Sequence, residues 1–331
     1  MSKMKRFHQS VLLLSAVVIS GAALVPSAAA AEKAWPGDQP INVIVPFSPG
    51  GFTDLIARRF ANDLGAELGT NVVVQNRPGA SGQIGTAQIS RADADGYNFL
   101  VTATQHVIYP GLQPNLPYDP RKDFTNIAIL AYAPNVLIVP TDSPVNSAKE
   151  FTDYANKQDG GLPFGSSSVG GSAHMSGELY RMVAGADLRH IPYKGAAPAM
   201  TDLVGGQVPS AFLDATSAAA FIRSGQVKAL AVTSKERLPS LPDVPTVAES
   251  GYPSYESQAW IGLFAPAGLP EEITEKLNRI AIKTTNTDDN VQWLTANNAT
   301  PSSLAPSEVS DFVLAELDKW AAVIKEANVT Q

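Results

Sequence analysis

Short apolar runs alternate with amphipathic stretches through most of this chain. Residues 41–47 (INVIVPF) have the length and branched content of a buried strand, and after Ser48-Pro49-Gly50-Gly51 the apolar period changes. Phe52, Leu55, Ile56, Phe60, Leu64 and Leu68 recur at helical spacing, with Gly69 placed to stop the helix. Val72, Val73 and Val74 predict the next strand, residues 83–91 a short helix, and residues 97–102 another strand. The unit recurs at 136–139, followed by a helix opened by Ser147 with Glu150 three residues on, the spacing of a capping box. Residues 164–166, 188–191, 209–213 and 228–233 predict further strands. Near the C-terminus Val309, Phe312, Val313, Leu317, Trp320 and Ile324 share one helical face, which reads as a core stripe. Strands and helices alternating in this way predict an α/β fold.

The first thirty residues break that pattern. Lys3, Lys5 and Arg6 form a cationic start, an apolar stretch covers 11–25, and Ser27-Ala28-Ala29-Ala30-Ala31 offers small-residue cleavage sites. Residues 1–31 therefore read as a secretory signal peptide. A membrane anchor would need about 20 uninterrupted apolar residues, and Gly21 and Pro26 interrupt this one. Without Lys3, Lys5 and Arg6 the chain holds 21 basic against 31 acidic residues, so the net charge of −7 becomes −10. That sign disfavours nucleic acid as a partner. At 331 residues, 44% hydrophobic and 17% charged, the chain is long enough for about two folded domains. The absence of cysteine excludes disulfides, thiol nucleophiles and thiolate metal sites.

Three glycine-rich turns each precede a helix: PFSPGGFTD at 46–54, RPGASGQIG at 77–85 and FGSSSVGGSAH at 164–174. At such a helix start backbone N–H groups lack intrahelical acceptors and the helix dipole favours an anion. Neither the Walker pattern nor the dinucleotide fingerprint is present. Asp54 reads as a structural charge at its helix start rather than a ligand contact, and Arg58 and Arg77 either lend positive potential or serve as ion-pair partners. His106 and His190 lack metal-ligand spacing, so no cofactor or metal is expected.

Longer matches carry a family resemblance. IVPFSPGGFTD at 44–54, QNRPGASGQIG at 75–85, ADGY at 94–97, LPYDP at 116–120, FGSSSVGGSAHMSGEL at 164–179, IPYKGAAPAMTDLVGGQV at 191–208, ALAVTSKERLPSLPDVPTVAESG at 229–251 and GLPEEITEKLN at 268–278 run in order through the chain. They resemble the extracytoplasmic solute-binding proteins of the tripartite tricarboxylate transporter family, often called Bug proteins. The resemblance implies a two-domain periplasmic-binding-protein fold of type II-like character, with two interdomain crossovers and a ligand cleft between the lobes. It divides the chain into residues 32–132 plus 256–331 and residues 133–255. It also implies a periplasmic monomer that takes a small carboxylated solute (a dicarboxylate, tricarboxylate, amino acid or aromatic carboxylate) and delivers it to membrane permease subunits.

On one lobe the resemblance implies ligand contacts from Ser48, Pro49, Gly50, Gly51, Phe52 and Thr53, helped by Gly79, Ala80 and Gly82. Thr104 falls in a segment, TATQHVIYPG at 102–111, that departs from the family pattern. On the other lobe the candidates are Ser166, Ser167, Ser168, Gly170, Gly171, Ser172, His174, Tyr193, Lys194 and Asp214. Asp214 facing the cleft would suit an amine or hydroxyl on the solute. Phe52 and Trp260 read as packing aromatics by default.

Two other functions use the same residues. A ligand sensor docking on a receptor kinase would share the cleft. A secreted serine hydrolase would need a Gly-x-Ser-x-Gly elbow, and Gly165-Ser166-Ser167-Ser168-Val169 fails at its final position.

Overall fold

The computed structural model describes residues 35–330, and the expected signal peptide lies outside them. In chain order the elements begin with β1 (Ile41–Val45), α1 (Phe52–Leu68), β2 (Val72–Asn76), α2 (Gln83–Ile89), β3 (Asn98–Ala103), α3 (Gln105–Leu112), β4 (Phe124–Pro140) and α4 (Ala148–Ala155). They continue as β5 (Leu162–Ser166), α5 (Ser172–Ala184), β6 (Leu188–Pro192), α6 (Ala196–Val204), β7 (Ala211–Asp214), α7 (Ala215–Arg223) and β8 (Val227–Val232). β9 (Gln258–Pro266), α8 (Glu271–Thr285), α9 (Asp288–Ala296) and α10 (Pro306–Ala327) complete the chain.

The local signals act as their chemistry requires. Ser147 Oγ accepts from Glu150 N at 3.2 Å, and the Glu150 carboxylate accepts from Asn146 N at 2.7 Å, so one amide of the first turn of α4 and the amide just ahead of its cap are satisfied. On α10, Val309, Val313, Leu317, Trp320 and Ile324 are all buried and Phe312 partly so. Each such side chain contributes about 1.5–3 kcal/mol relative to exposure.

Two sheets share one strand. The first runs β2-β1-β3-β9-β4, with β1 parallel to both β2 and β3, and β9 antiparallel to β3 and β4. Residues 124–134 of β4 pair with β9, whereas residues 135–140 pair with β7 on one side and β8 on the other. β7, β5 and β6 then continue in parallel. α1 and α8 cover one face of the first sheet through Phe60, Leu64, Leu277 and Ala281. α6 and α7 cover one face of the second through Met200, Leu203 and Ala218. The remaining faces join in one apolar layer containing Leu100, Leu137, Phe164, Phe212, Trp260 and Trp320.

The chain passes between sheets at Asn135 and again at Ser257, and both points are held by buried polar groups. Asn135 N donates to Thr233 Oγ1 at 2.8 Å, Ser257 N donates to Thr233 O at 2.9 Å, and the Ser176 and Ser257 hydroxyls lie 2.7 Å apart. Asn135 Nδ2 donates to Ser176 Oγ at 3.0 Å. These bonds offset much of the cost of burying the polar groups, although Asn135 Oδ1 is buried without a hydrogen-bond partner among the described residues.

Two elements differ from the sequence pattern. The strand expected at 136–139 is the end of a 17-residue strand, kinked by register shifts at Asn126/Ala128 and Ile129/Ala131. α3 carries Pro110 inside it; packing of Val107 and Ile108 into the core outweighs the poor propensity.

Candidate functional site

The parallel strands determine where the helices begin. β1, β3, β5 and β7 each end at a turn that opens a helix, and residues from all four openings line one cleft of about 440 Å³. Gly50, Phe52, Thr53 and Leu55 come from the start of α1, Ala103 and Gln105 from α3, Ser172 from α5, and Asp214, Thr216 and Ser217 from α7. Ala133, Ala259, Ile261 and Asn297 complete the wall. Ligands of open α/β sheets bind in this position, beyond the carboxyl ends of the strands. The described lining has no lysine, arginine or histidine and one carboxylate, Asp214.

At the α1 opening, Gly51 caps the helix with extended backbone and no side-chain bond. Phe52 N–H and Thr53 N–H, in the first turn, thus have no intrahelical acceptor. Gly50 N–H is different, because it donates to Asp54 Oδ2 at 2.9 Å. The Gly50 amide is thus already bonded within its own turn. Asp54 is buried, and also accepts from Arg58 Nε at 2.9 Å and Asn76 Nδ2 at 2.8 Å. Burial raises its pKa, but the bonds from Arg58, Gly50 N and Asn76 outweigh that and hold the carboxyl below its usual range.

The α5 opening repeats the geometry. Gly171 caps the helix, again with extended backbone and no side-chain bond, and Gly170 N–H donates to His174 Nδ1 at 3.0 Å. His174 is buried, with Nε2 3.5 Å from Glu178 Oε1 and its ring stacked on His190 at 3.6 Å between centroids. It supports the turn from behind and does not line the cleft. Burial, with His174 adding to it, pushes His190 down to about 3.

Other expected site residues have assigned partners elsewhere. Thr104 is fully buried, and its hydroxyl accepts from Trp260 N at 2.9 Å. Ser166 is fully buried and its hydroxyl donates to Ser168 O at 3.0 Å. His190 Nε2, 2.7 Å from the same hydroxyl, is therefore the donor to it, which is the reverse of what a nucleophile and its base require. The Tyr193 hydroxyl donates to Asp202 at 2.9 Å, and Lys194 is exposed. Ser48, Pro49, Gly51 and Gly79 are exposed beside the α1 opening or in the β2–α2 turn, Gly82 is buried in that turn, and Ala80 lines a separate surface hollow with Ile84. Ser167 and Ser168 lie in the turn ahead of α5, tied to the next loop by Gly195 N donating to Ser167 O at 2.9 Å. Of the twenty residues, the structure brings Gly50, Phe52, Thr53, Ser172 and Asp214 to the cleft wall. Trp260 is core, donating Nε1 to Glu316 at 3.1 Å.

A model of the tripartite tricarboxylate transporter family receptor, TctC, matches residues 56–329. The chain belongs to that family. Protein BugT of Bordetella pertussis is 35% identical over 292 residues, covering 88% of this chain and 90% of BugT. A Rhodopseudomonas palustris protein solved with adipate is 34% identical, with a TM-score of 0.75 over 89% of this chain and 99% of that one. MatC from the same organism, solved with bound malate, is 33% identical, with a TM-score of 0.70 over 86% of this chain and 98% of MatC. The α/β periplasmic-binding-protein fold is thereby shown for this TctC receptor, as is a solute-binding rather than enzymatic role.

Leu55, Gln105, Ala133, Ala259, Ile261 and Asn297 of the TctC cleft carry no local motif. Ala133, Ala259 and Ile261 meet there because β9 returns antiparallel between β3 and β4, which sequence spacing does not report.

Proposed function

We propose that this receptor captures a small carboxylated solute in the cleft and presents it to the membrane permease subunits of a tripartite transporter. The carrying observation is the convergence of four helix openings on a cleft whose described lining has no cationic side chain. An anion there is held by backbone N–H groups and helix dipoles, with ordered water able to bridge at modest entropic cost. Adipate and malate in the two solved relatives support the ligand class.

On this reading Phe52 and Thr53 supply the amides of one lobe, and Ser172 and Asp214 face them from the other. Among the described residues, 35–132 with 256–330 make up the first lobe and 133–255 the second. The two chain passages at Asn135 and Ser257 are the hinge, and ligand contacts to both sides favour the shut form. The likeness to a solved periplasmic transporter supports a periplasmic location, reached by way of residues 1–31 as a cleaved signal peptide.

A thermal-shift screen of the leaderless protein against organic acids and their amides tests this. A bound acid at 100 times its Kd adds about 2.7 kcal/mol of stability, a shift of several degrees. Shifts by amides and none by acids would contradict the reading.

A further inference from the structure

Resting on the carboxylate reading above, we propose that Asp214 determines specificity, selecting solutes that carry an ammonium or hydroxyl beside their carboxylate over those with bare hydrocarbon. Three chemistries share the cleft. The helix starts of α1 and α5 are glycine-capped and open to an anion. The floor is apolar: Phe52, Leu55, Ala103, Ala133, Ala259 and Ile261 line it. Leu55 is 42% exposed, and the Phe52 ring is braced against Trp293 at 6.0 Å and 7°. Asp214 stands apart from both as the one charged group of the described lining.

Its helix holds it in place. Asp214 caps α7, with Oδ1 accepting from Ser217 N at 2.7 Å, which fixes the carboxylate at the wall. Oδ2 makes no hydrogen bond within the described residues. An ionised carboxylate accepts several hydrogen bonds and donates none, so Oδ2 is satisfied by a donor on the solute. Lys194, on the same half of the molecule, is exposed and does not line the cleft, so no lysine or arginine of the lining competes for Asp214. A solute with only hydrocarbon beside its carboxylate leaves this oxygen desolvated and unpaired on closure.

The test uses matched acids with the leaderless wild type and Asp214→Asn, since Asn caps a helix as well as Asp does. Calorimetric Kd values are measured for succinate, malate and aspartate, and for adipate, 2-hydroxyadipate and 2-aminoadipate. In wild type, a donor-bearing member of at least one series binds at least tenfold more tightly than the bare diacid. Asp214→Asn removes at least tenfold of that donor-bearing acid's advantage over the bare diacid of its series. Bare diacids binding as tightly in both series, or an unchanged ratio in the variant, overturns the inference. So does absence of binding by all six acids, whereas the carboxylate reading itself rests on the wider panel of acids and amides.

Discussion

The openings of α1 and α5 are the same device built with different acceptors. Gly50 and Gly170 both have positive φ, +86° and +67°, and Gly51 and Gly171 both follow in extended conformation, at φ −74° and −78°. In each, the first glycine N–H is tied to the side chain four residues on. Asp54 does this at α1, a carboxylate held by Arg58 and Asn76. His174 does it at α5, an imidazole stacked on His190 and set against Glu178. The shared element is the backbone, which leaves first-turn amides free at both openings; the supporting side chain is exchangeable so long as it accepts one hydrogen bond.

The largest effect is expected from Gly51→Asp. A Cβ at Gly51 meets nothing nearer than Ser48 O at 3.9 Å, and φ there suits any residue. Aspartate is a good cap and its carboxylate takes the α1 amides for itself. Affinity for organic acids falls by more than about 100-fold, with stability kept, while Gly51→Ala binds normally. At Gly171 a Cβ would fall 2.3 Å from Ser168 Oγ, so Gly171→Asp also disturbs its turn and lowers stability.

Removing the acceptors separates the two openings next. Asp54→Ala deprives three donors of their partner and costs about 2–3 kcal/mol in urea unfolding, at roughly 1 kcal/mol for each bond. His174→Ala frees one backbone donor, vacates a buried ring site stacked on His190 and removes a partner of Glu178, and so costs about 3–4 kcal/mol. A cost under about 1 kcal/mol for either variant would mean the junctions are not supported in the way described.

Acid sharpens the contrast. His190 is held near 3 in the fold, so between the ordinary histidine value of about 6.5 and that value the unfolded chain binds a proton the folded chain refuses. Stability therefore falls as pH drops through this window. Asp54, with its pKa lowered, contributes above the ordinary carboxylate value and loses that contribution only at lower pH. Acid thus weakens the α5 side first. His190→Gln reduces the stability lost between pH 7 and pH 5 by about 2 kcal/mol. His106, buried among Tyr118, Phe124 and Phe264 and also pushed down to about 3, remains in that variant and keeps part of the loss.

Sequence pattern located the α1 and α5 openings because their signals are local: an apolar run, two glycines, then a helical period. Asp54 reads as structural from its position alone, and the structure gives it three donors. The stacking of His174 on His190 is not legible, since it depends on β5 and β6 lying side by side in the sheet. The partner of Thr104 is hidden for a similar reason, because β9 brings Trp260 N to its hydroxyl. Asn297, at the end of α9, reaches the cleft through its carbonyl, which accepts from the Thr216 hydroxyl across the two halves. Amphipathic spacing in α9 gives no hint of that contact.

The account rests on main-chain amides, rather than cationic side chains, holding the acid. A crystal structure of the leaderless protein with a bound acid tests this directly. The account predicts a ligand carboxylate hydrogen-bonded to Phe52 N–H and Thr53 N–H, directly or through one water, with no lysine or arginine paired to it. A carboxylate paired to a lysine or arginine away from the α1 opening would contradict it.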